Sequence, residues 1–98
     1  MPVKLRTRTE RDFLGSREVP EHAYWGVHTE RARENFPITG HSVSELPALI
    51  RALAHVKGAA AQANARLGVI TGDQARVISR ACADLVGGQL HDQFVVDV

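Results

Sequence analysis

With 98 residues and a net charge of +1, the chain is one small domain or part of a larger one, without the charge excess that drives binding to nucleic acid or anionic membranes. Hydrophobic residues make up 44% of it but aromatics only 5%, and many of the rest are alanines, so its core is thin unless another surface covers it. The one cysteine, Cys82, cannot form an internal disulfide, and no apolar run is long enough for a signal peptide or membrane span, so a soluble, cytoplasmic chain is the expectation.

Residues 1–12 are polar, with Lys4, Arg6, Arg8 and Arg11 spread between Glu10 and Asp12. No aromatic residue interleaves these charges, so a flexible start is expected rather than a nucleic-acid-binding arm. Residues 14–36 are then punctuated by Gly15, Pro20 and Gly26, too irregularly for one helix or strand. Pro20 holds Val19 in an extended path. The chain's only Tyr and Trp stand together at Tyr24 and Trp25, and are read as anchors that pack this turn onto helices. Thr29 is placed to cap a short charged helix, Glu30-Arg31-Ala32-Arg33-Glu34, with Glu30 suiting the dipole at its first position.

After a loop at Thr39-Gly40-His41-Ser42, a long helix is expected over 45–67, with Ser44 as N-cap and Pro47 in the first turn. Leu46, Leu49, Leu53, Val56, Ala60, Ala63 and Leu67 recur at alternating steps of three and four, one continuous apolar stripe. Gly58 is its weak point, at a cost of roughly 1 kcal/mol against alanine. Gly68 ends the helix, and Thr71 with Gln74 makes a capping-box pattern for a second one. That helix has Val77, Ile78, Ala81 and Leu85 as its apolar face and closes at Gly87-Gly88. The short link predicts an antiparallel hairpin. Because the second helix is the shorter, part of the first stays uncovered; it would face other domains in an intact subunit, and left bare it is an apolar patch that invites self-association. Residues 89–98 favour extended structure.

His22, His28, His41, His55 and His91 form no ligand pair at metal spacing, and the glycines make no phosphate loop, so neither a metal site nor a phosphate-binding loop is expected. Cys82 adjoins the apolar face of the second helix and reads as a packing residue.

The ordered run Asp12-Phe13-Leu14-Gly15, Arg17-Glu18-Val19-Pro20, Ala23-Tyr24-Trp25-Gly26-Val27-His28-Thr29, Arg31-Ala32 and Glu34-Asn35-Phe36-Pro37-Ile38 resembles the amino-terminal region of the aspartase/class II fumarase superfamily. The resemblance continues through Val56-Lys57 and the alanine run to Asp92-Gln93-Phe94 and Val96-Asp97-Val98. Class II fumarases commonly carry Gln where His28 stands, so the aspartase branch is favoured. The family usually has a proline where this chain has Val95, which loosens the approach to the first substrate loop.

The resemblance implies a mainly α fold: an irregular amino-terminal arm, turn and short helix (1–43), an antiparallel helical hairpin (44–88) and an extended end (89–98). Together these form part of the amino-terminal domain of a larger all-α lyase subunit. It implies reversible elimination of ammonia from L-aspartate to give fumarate, or fumarate hydration, with no organic cofactor. The complete enzyme would be a homotetramer, with no nucleic-acid or membrane partner. The family's base is a serine on a mobile loop, and preorganised donors hold the charge that develops on the substrate. Its Gly-Ser-Ser-x-Met-Pro-x-Lys-x-Asn signature and a Gly-Thr-Ser substrate stretch are not in this sequence, so no catalytic residue is expected here and the chain alone is expected to be inactive. A non-catalytic helical piece that binds lyase subunits is the reading from another class.

Three residues are candidates for substrate binding. Arg31 offers a planar fork suited to a carboxylate, or else is a helix residue paired with Asn35 or Glu34. Lys57 is either a substrate cation or a lysine snorkelling from the edge of the apolar face. His28 makes an active-site or regulatory contact, or fastens the Trp25-to-Thr29 turn.

Overall fold

The computed structural model describes residues 6–98, so the part of the predicted flexible start that contains Lys4 lies outside the described residues. The order is β1 (Thr7–Asp12), β2 (Gly15–Pro20), α1 (Val27–Asn35), α2 (Pro47–Arg66) and α3 (Gly72–Val86), with 3-10 turns at Val43–Glu45 and His91–Gln93. The mainly α expectation holds, with a small antiparallel sheet added to it. Residues up to Ser42, joined by Val95–Val98, form one compact unit, and Val43–Phe94 form the other.

The irregular arm is instead a β-hairpin. Strands β1 and β2 pair from Thr7 opposite Pro20 to Asp12 opposite Gly15. Phe13 and Leu14 make the two-residue tip, the Asp12 carboxylate accepts the Leu14 N–H at 2.9 Å, and Gly15 takes the φ of +120° that closes the turn. The Glu18 carboxylate accepts the hydroxyls of Thr7 and Thr9, which holds it below the usual carboxylate range. Among the described residues, this unit buries only Val19, Ala23 and Val27 as apolar side chains.

Helix α1 starts earlier than expected. Its N-cap is Gly26, which places Thr29 within the helix and not at its cap. The Glu10 carboxylate, reaching from β1, lies where a Gly26 Cβ would meet it at 2.7 Å and bonds the Val27 N–H, so a neighbouring strand supplies the acceptor that Gly26 lacks. Of residues 89–98, expected to be extended, His91–Gln93 instead form a 3-10 turn, and the end makes a single bridge, Asp97 to Ser42.

In the second unit, Ser44 sits in the 3-10 turn and α2 opens with Leu46 as N-cap and Pro47 as first residue, where a missing N–H leaves no bond unmade. Both helices end as their glycines predict. Val69 N–H bonds Asn64 C=O at 2.9 Å and Gly68 N–H bonds Ala65 C=O at 3.1 Å, with Gly68 at φ +76°. Gln89 N–H to Asp84 C=O and Gly88 N–H to Leu85 C=O repeat the motif after α3. The Thr71–Gln74 capping box forms with both of its bonds.

Helices α2 and α3 pack antiparallel, Arg51 bonding the Val86 carbonyl near one end and Gly58 facing Cys82 midway. The faces differ from those expected. The seam is made of Ile50, Ala54 and Ala61 on α2 with Ala75 and Cys82 on α3, whereas Leu46, Leu49, Leu53, Val56, Leu67, Val77 and Ile78 are exposed. Small side chains let the two backbones close up, and the larger ones are left on arcs turned away from the seam. Cys82 is a buried packing residue, as its sequence context suggests.

Gly58 is thus part of the seam, and its cost is recoverable. An alanine Cβ there would lie 3.7 Å from the Cys82 Cβ, an ordinary contact. Gly58→Ala should raise stability by up to about 1 kcal/mol, whereas Gly58→Leu should cost about 1–3 kcal/mol by wedging the seam open. Urea unfolding followed by helical circular dichroism checks both. A loss of stability in the alanine variant would show that the helices sit closer than described.

Candidate functional site

In β1, side chains at alternate positions share a face, so Arg8, Glu10 and Asp12 line one side of the strand. All three are half-buried, and each holds a different part of the segment that follows. Arg8 donates to the carbonyls of Pro20 (3.1 Å), Glu21 (2.8 Å), Ala23 (2.9 Å) and Trp25 (2.8 Å), fixing the irregular turn. Glu10 pairs with Arg8 at 2.8 Å and meets the start of α1; the Arg8 hydrogen bond, helped by the Val27 N–H, holds its carboxyl below the usual range. Asp12 receives Arg31.

Arg31 is clamped. Its Nε and Nη2 donate to the two Asp12 oxygens at 3.0 and 2.7 Å, and Nη2 also donates to the Gly15 carbonyl at 3.0 Å. Only 12% of the Arg31 side chain and 11% of the Asp12 side chain remain exposed. The two-pronged bond lowers the Asp12 pKa and raises that of Arg31. The partner is therefore Asp12, and neither Asn35 nor Glu34; Glu34 instead takes Arg17 of β2 at 3.0 Å.

His28 lies one turn before Arg31 on α1. Its Nδ1 is 3.6 Å from the same Asp12 carboxylate, while 86% of its side chain is open to solvent. The turn it was expected to fasten is fastened by Arg8. Trp25 is half-buried with the Arg33 guanidinium 5.6 Å from its ring centroid, an anchor in part, but Tyr24 is exposed. Lys57 belongs to the other unit. It is exposed on α2 and lines an open groove of about 370 Å³ with Val56, Ala60, Ala61, Asn64, Ile70 and Ile78, an apolar setting suited to a snorkelling lysine. The structure thus brings His28 and Arg31 together on Asp12, within the first unit.

A second polar node lies in the first unit. Asp97 accepts the Thr39 hydroxyl (2.8 Å) and the N–H groups of Thr39 (2.8 Å) and Gly40 (2.9 Å), and the Thr39 bond leads the lowering of its pKa. It borders a shallow groove of about 210 Å³ shared with Arg33, Pro37, Gly40, His41, Ser42 and Val95. Among the described residues, no group of three His, Cys, Asp or Glu side chains is placed to hold a metal, and no helix is long and apolar enough to cross a membrane.

Asp12 stands within the amino-terminal motif, but neither it nor Arg8 or Asp97 is among the residues expected at a site. For the first two a signal existed: Thr7-Arg8-Thr9-Glu10 alternates at period two, with Gly15 three residues past Asp12 to close a turn. Asp97 had none, because its partners lie 57 and 58 residues away.

Asp12 has a folded-state pKa below its ordinary 3.8, so its contribution to stability is complete above that value and is lost as pH falls through the depressed one. Asp12→Asn should destabilise the first unit at neutral pH and shorten the acid limb of its unfolding, read by Trp25 fluorescence. Identical acid limbs in the two proteins would remove Asp12 from this role.

Residues 15–98 match a family model described as a lyase. The chain is 50% identical over 92 residues to aspartate ammonia-lyase of Pseudomonas aeruginosa, covering 94% of this chain and 19% of that protein. It is 48% identical over 91 residues to class II fumarate hydratase of Halobacterium salinarum, covering 93% and 19%. A crystal structure of a fumarate lyase:delta crystallin from Brucella melitensis superimposes with a TM-score of 0.83 at 47% identity, covering 94% of this chain and 20% of that one. The chain spans about a fifth of the length of these relatives. With the match running from the hairpin turn to the last residue, the chain belongs to this lyase family, as its amino-terminal motifs imply.

Proposed function

We propose that the chain is the amino-terminal segment of an aspartate ammonia-lyase, whose complete form reversibly eliminates ammonia from L-aspartate to give fumarate. The observation that carries this reading is the aspartase match across nearly the whole chain. Fumarate hydration is the second reading, favoured by the fumarate hydratase relative and weakened by His28. The complete enzyme is read as a cytoplasmic homotetramer, and this chain as a partial domain that contributes structure rather than the base.

The geometry divides the three candidates. Arg31 spends its fork on Asp12 and Gly15, and a substrate carboxylate would have to displace a partner already held by two bonds. Its role is to lock α1 onto the hairpin. His28, carried on that locked helix, presents an exposed imidazole beside Asp12, and Lys57, in the other unit, an exposed ammonium on α2; each is read separately as a group that can meet a carboxylate.

Two outcomes are expected. The purified chain should release no fumarate from L-aspartate, followed by the ultraviolet absorbance of the product, because it carries no serine loop. Turnover that copurifies with the chain would reverse that assignment. In a full-length relative with this segment, Arg31→Lys should lower thermal stability and leave KM within roughly twofold, since a point charge cannot bridge both Asp12 oxygens. A large rise in KM at unchanged stability would return Arg31 to the substrate.

A further inference from the structure

Residues 95–98 join the first unit without burying a side chain. Their backbone contributes two ties to it. The Val98 N–H donates to the His41 carbonyl at 2.9 Å, and Asp97 makes the single antiparallel bridge to Ser42. The Asp97 side chain adds three more. One carboxylate oxygen accepts the Thr39 hydroxyl at 2.8 Å, and the other accepts the N–H groups of Thr39 and Gly40 at 2.8 and 2.9 Å. The Thr39 hydroxyl accepts in turn from the His41 N–H at 3.1 Å, so one carboxylate gathers the whole 39–41 turn.

Burial separates this segment from the rest of its unit. The hairpin and α1 hold the buried Val19, Ala23 and Val27, and the Asp12–Arg31 pair is almost closed to solvent. Thr39, Gly40 and His41 are exposed, and Asp97 is half-buried. Bonds in such a place are exchanged for bonds to water when they break, and little apolar surface is bared with them. The segment also has something to open onto. Val95 and Asp97 form one side of the groove of about 210 Å³, and Arg33, Pro37, Gly40, His41 and Ser42 form the other.

We infer that residues 95–98 are a strap that opens and closes independently of the hairpin and α1, with Asp97 as its latch on Thr39 and Gly40. Closing the strap builds one wall of the groove beside Arg33 and His41, and opening it dismantles that groove. The inference does not rest on the lyase reading, because it uses only the bonds and burial of the first unit.

The test is amide hydrogen exchange of the 98-residue chain, followed by NMR, scaled to unstructured peptides and repeated in low urea. Ala23 and Glu30, whose N–H groups bond the carbonyls of Pro20 and Gly26, report on the frame. Thr39, Gly40 and Val98 report on the strap. The strap amides should be protected, yet exchange about tenfold or more faster than the frame amides and ignore low urea, as a local opening does. Asp97→Ala should speed Val98 exchange by about fivefold or more, although its own acceptor, the His41 carbonyl, is untouched. Thr39→Val, a milder change, keeps the N–H groups and removes only the hydroxyl. It should speed Gly40 and Val98 in the same direction, with frame amides held within about twofold of the parent in both variants. Strap and frame amides that share one urea-dependent rate overturn the inference, because the strap then opens only with the unit. Strap amides without protection overturn it too, since such a strap never closes. A Val98 rate that neither variant moves takes the latch away from Asp97.

Discussion

One polar strand face organises the first unit. An irregular turn such as 20–25 has backbone carbonyls with no ladder to join, and left unpaired in a half-buried place they would be costly. Arg8 answers four of them with one guanidinium, whose donors fan out in a plane. Two residues on, Glu10 neutralises that cation and accepts from the first turn of α1; two further, Asp12 grips Arg31. The period of a strand thus becomes a row of anchors at even spacing. Where the buried apolar side chains among the described residues are Val19, Ala23 and Val27, such a row must hold much of the geometry. It also decides where His28 stands, because that ring rides on a helix fixed at both its start and its second turn.

The second unit is governed by size instead of charge. Ala54, Gly58 and Ala61 opposite Ala75 and Cys82 let two helices approach closely, but such a seam removes little apolar area from water. Its termini compensate locally, since the Thr71 box and the two glycine ends satisfy backbone groups that would otherwise need solvent. Ordered ends and a narrow seam suffice to set the direction of the hairpin. Of the large side chains of α2 they bury Ile50 and leave the leucines exposed.

How legible this was in the sequence follows from the same distinction. The terminators Gly68 and Gly88, the Thr71–Gln74 box and the antiparallel hairpin are local chemistry, in which each residue acts on a neighbour a few positions away. The faces were not local. Periodicity shows that a helix has an apolar arc, but α2 has two, a small-residue one and a leucine one, and only the packing partner decides which is buried. The hairpin escaped because its inward face is charged, so the alternation that marks a strand had no hydrophobic signal. The start of α1 escaped because its acceptor comes from another element; Gly26 offers none of its own. Within the candidate site, Arg31 and His28 were visible as residue types, but the carboxylate that joins them, 19 residues from Arg31, was not.

The narrow seam and the bare leucine face belong to one arrangement. Had the leucines faced α3, the hairpin would have been self-sufficient and its outer surface alanine-rich and uninviting. With the small residues inside, the direction of the hairpin is set cheaply while the larger share of its apolar surface is held for whatever covers it. Burial on that face then counts as folding free energy as well as binding energy, because a partner that binds only the folded hairpin stabilises it by mass action. The helix ends supply order before that partner arrives, and this lowers the conformational entropy left to lose on docking. A unit built in this way is stable in proportion to its coverage, so its apolar surface is better understood as an unfinished core than as an exposed one.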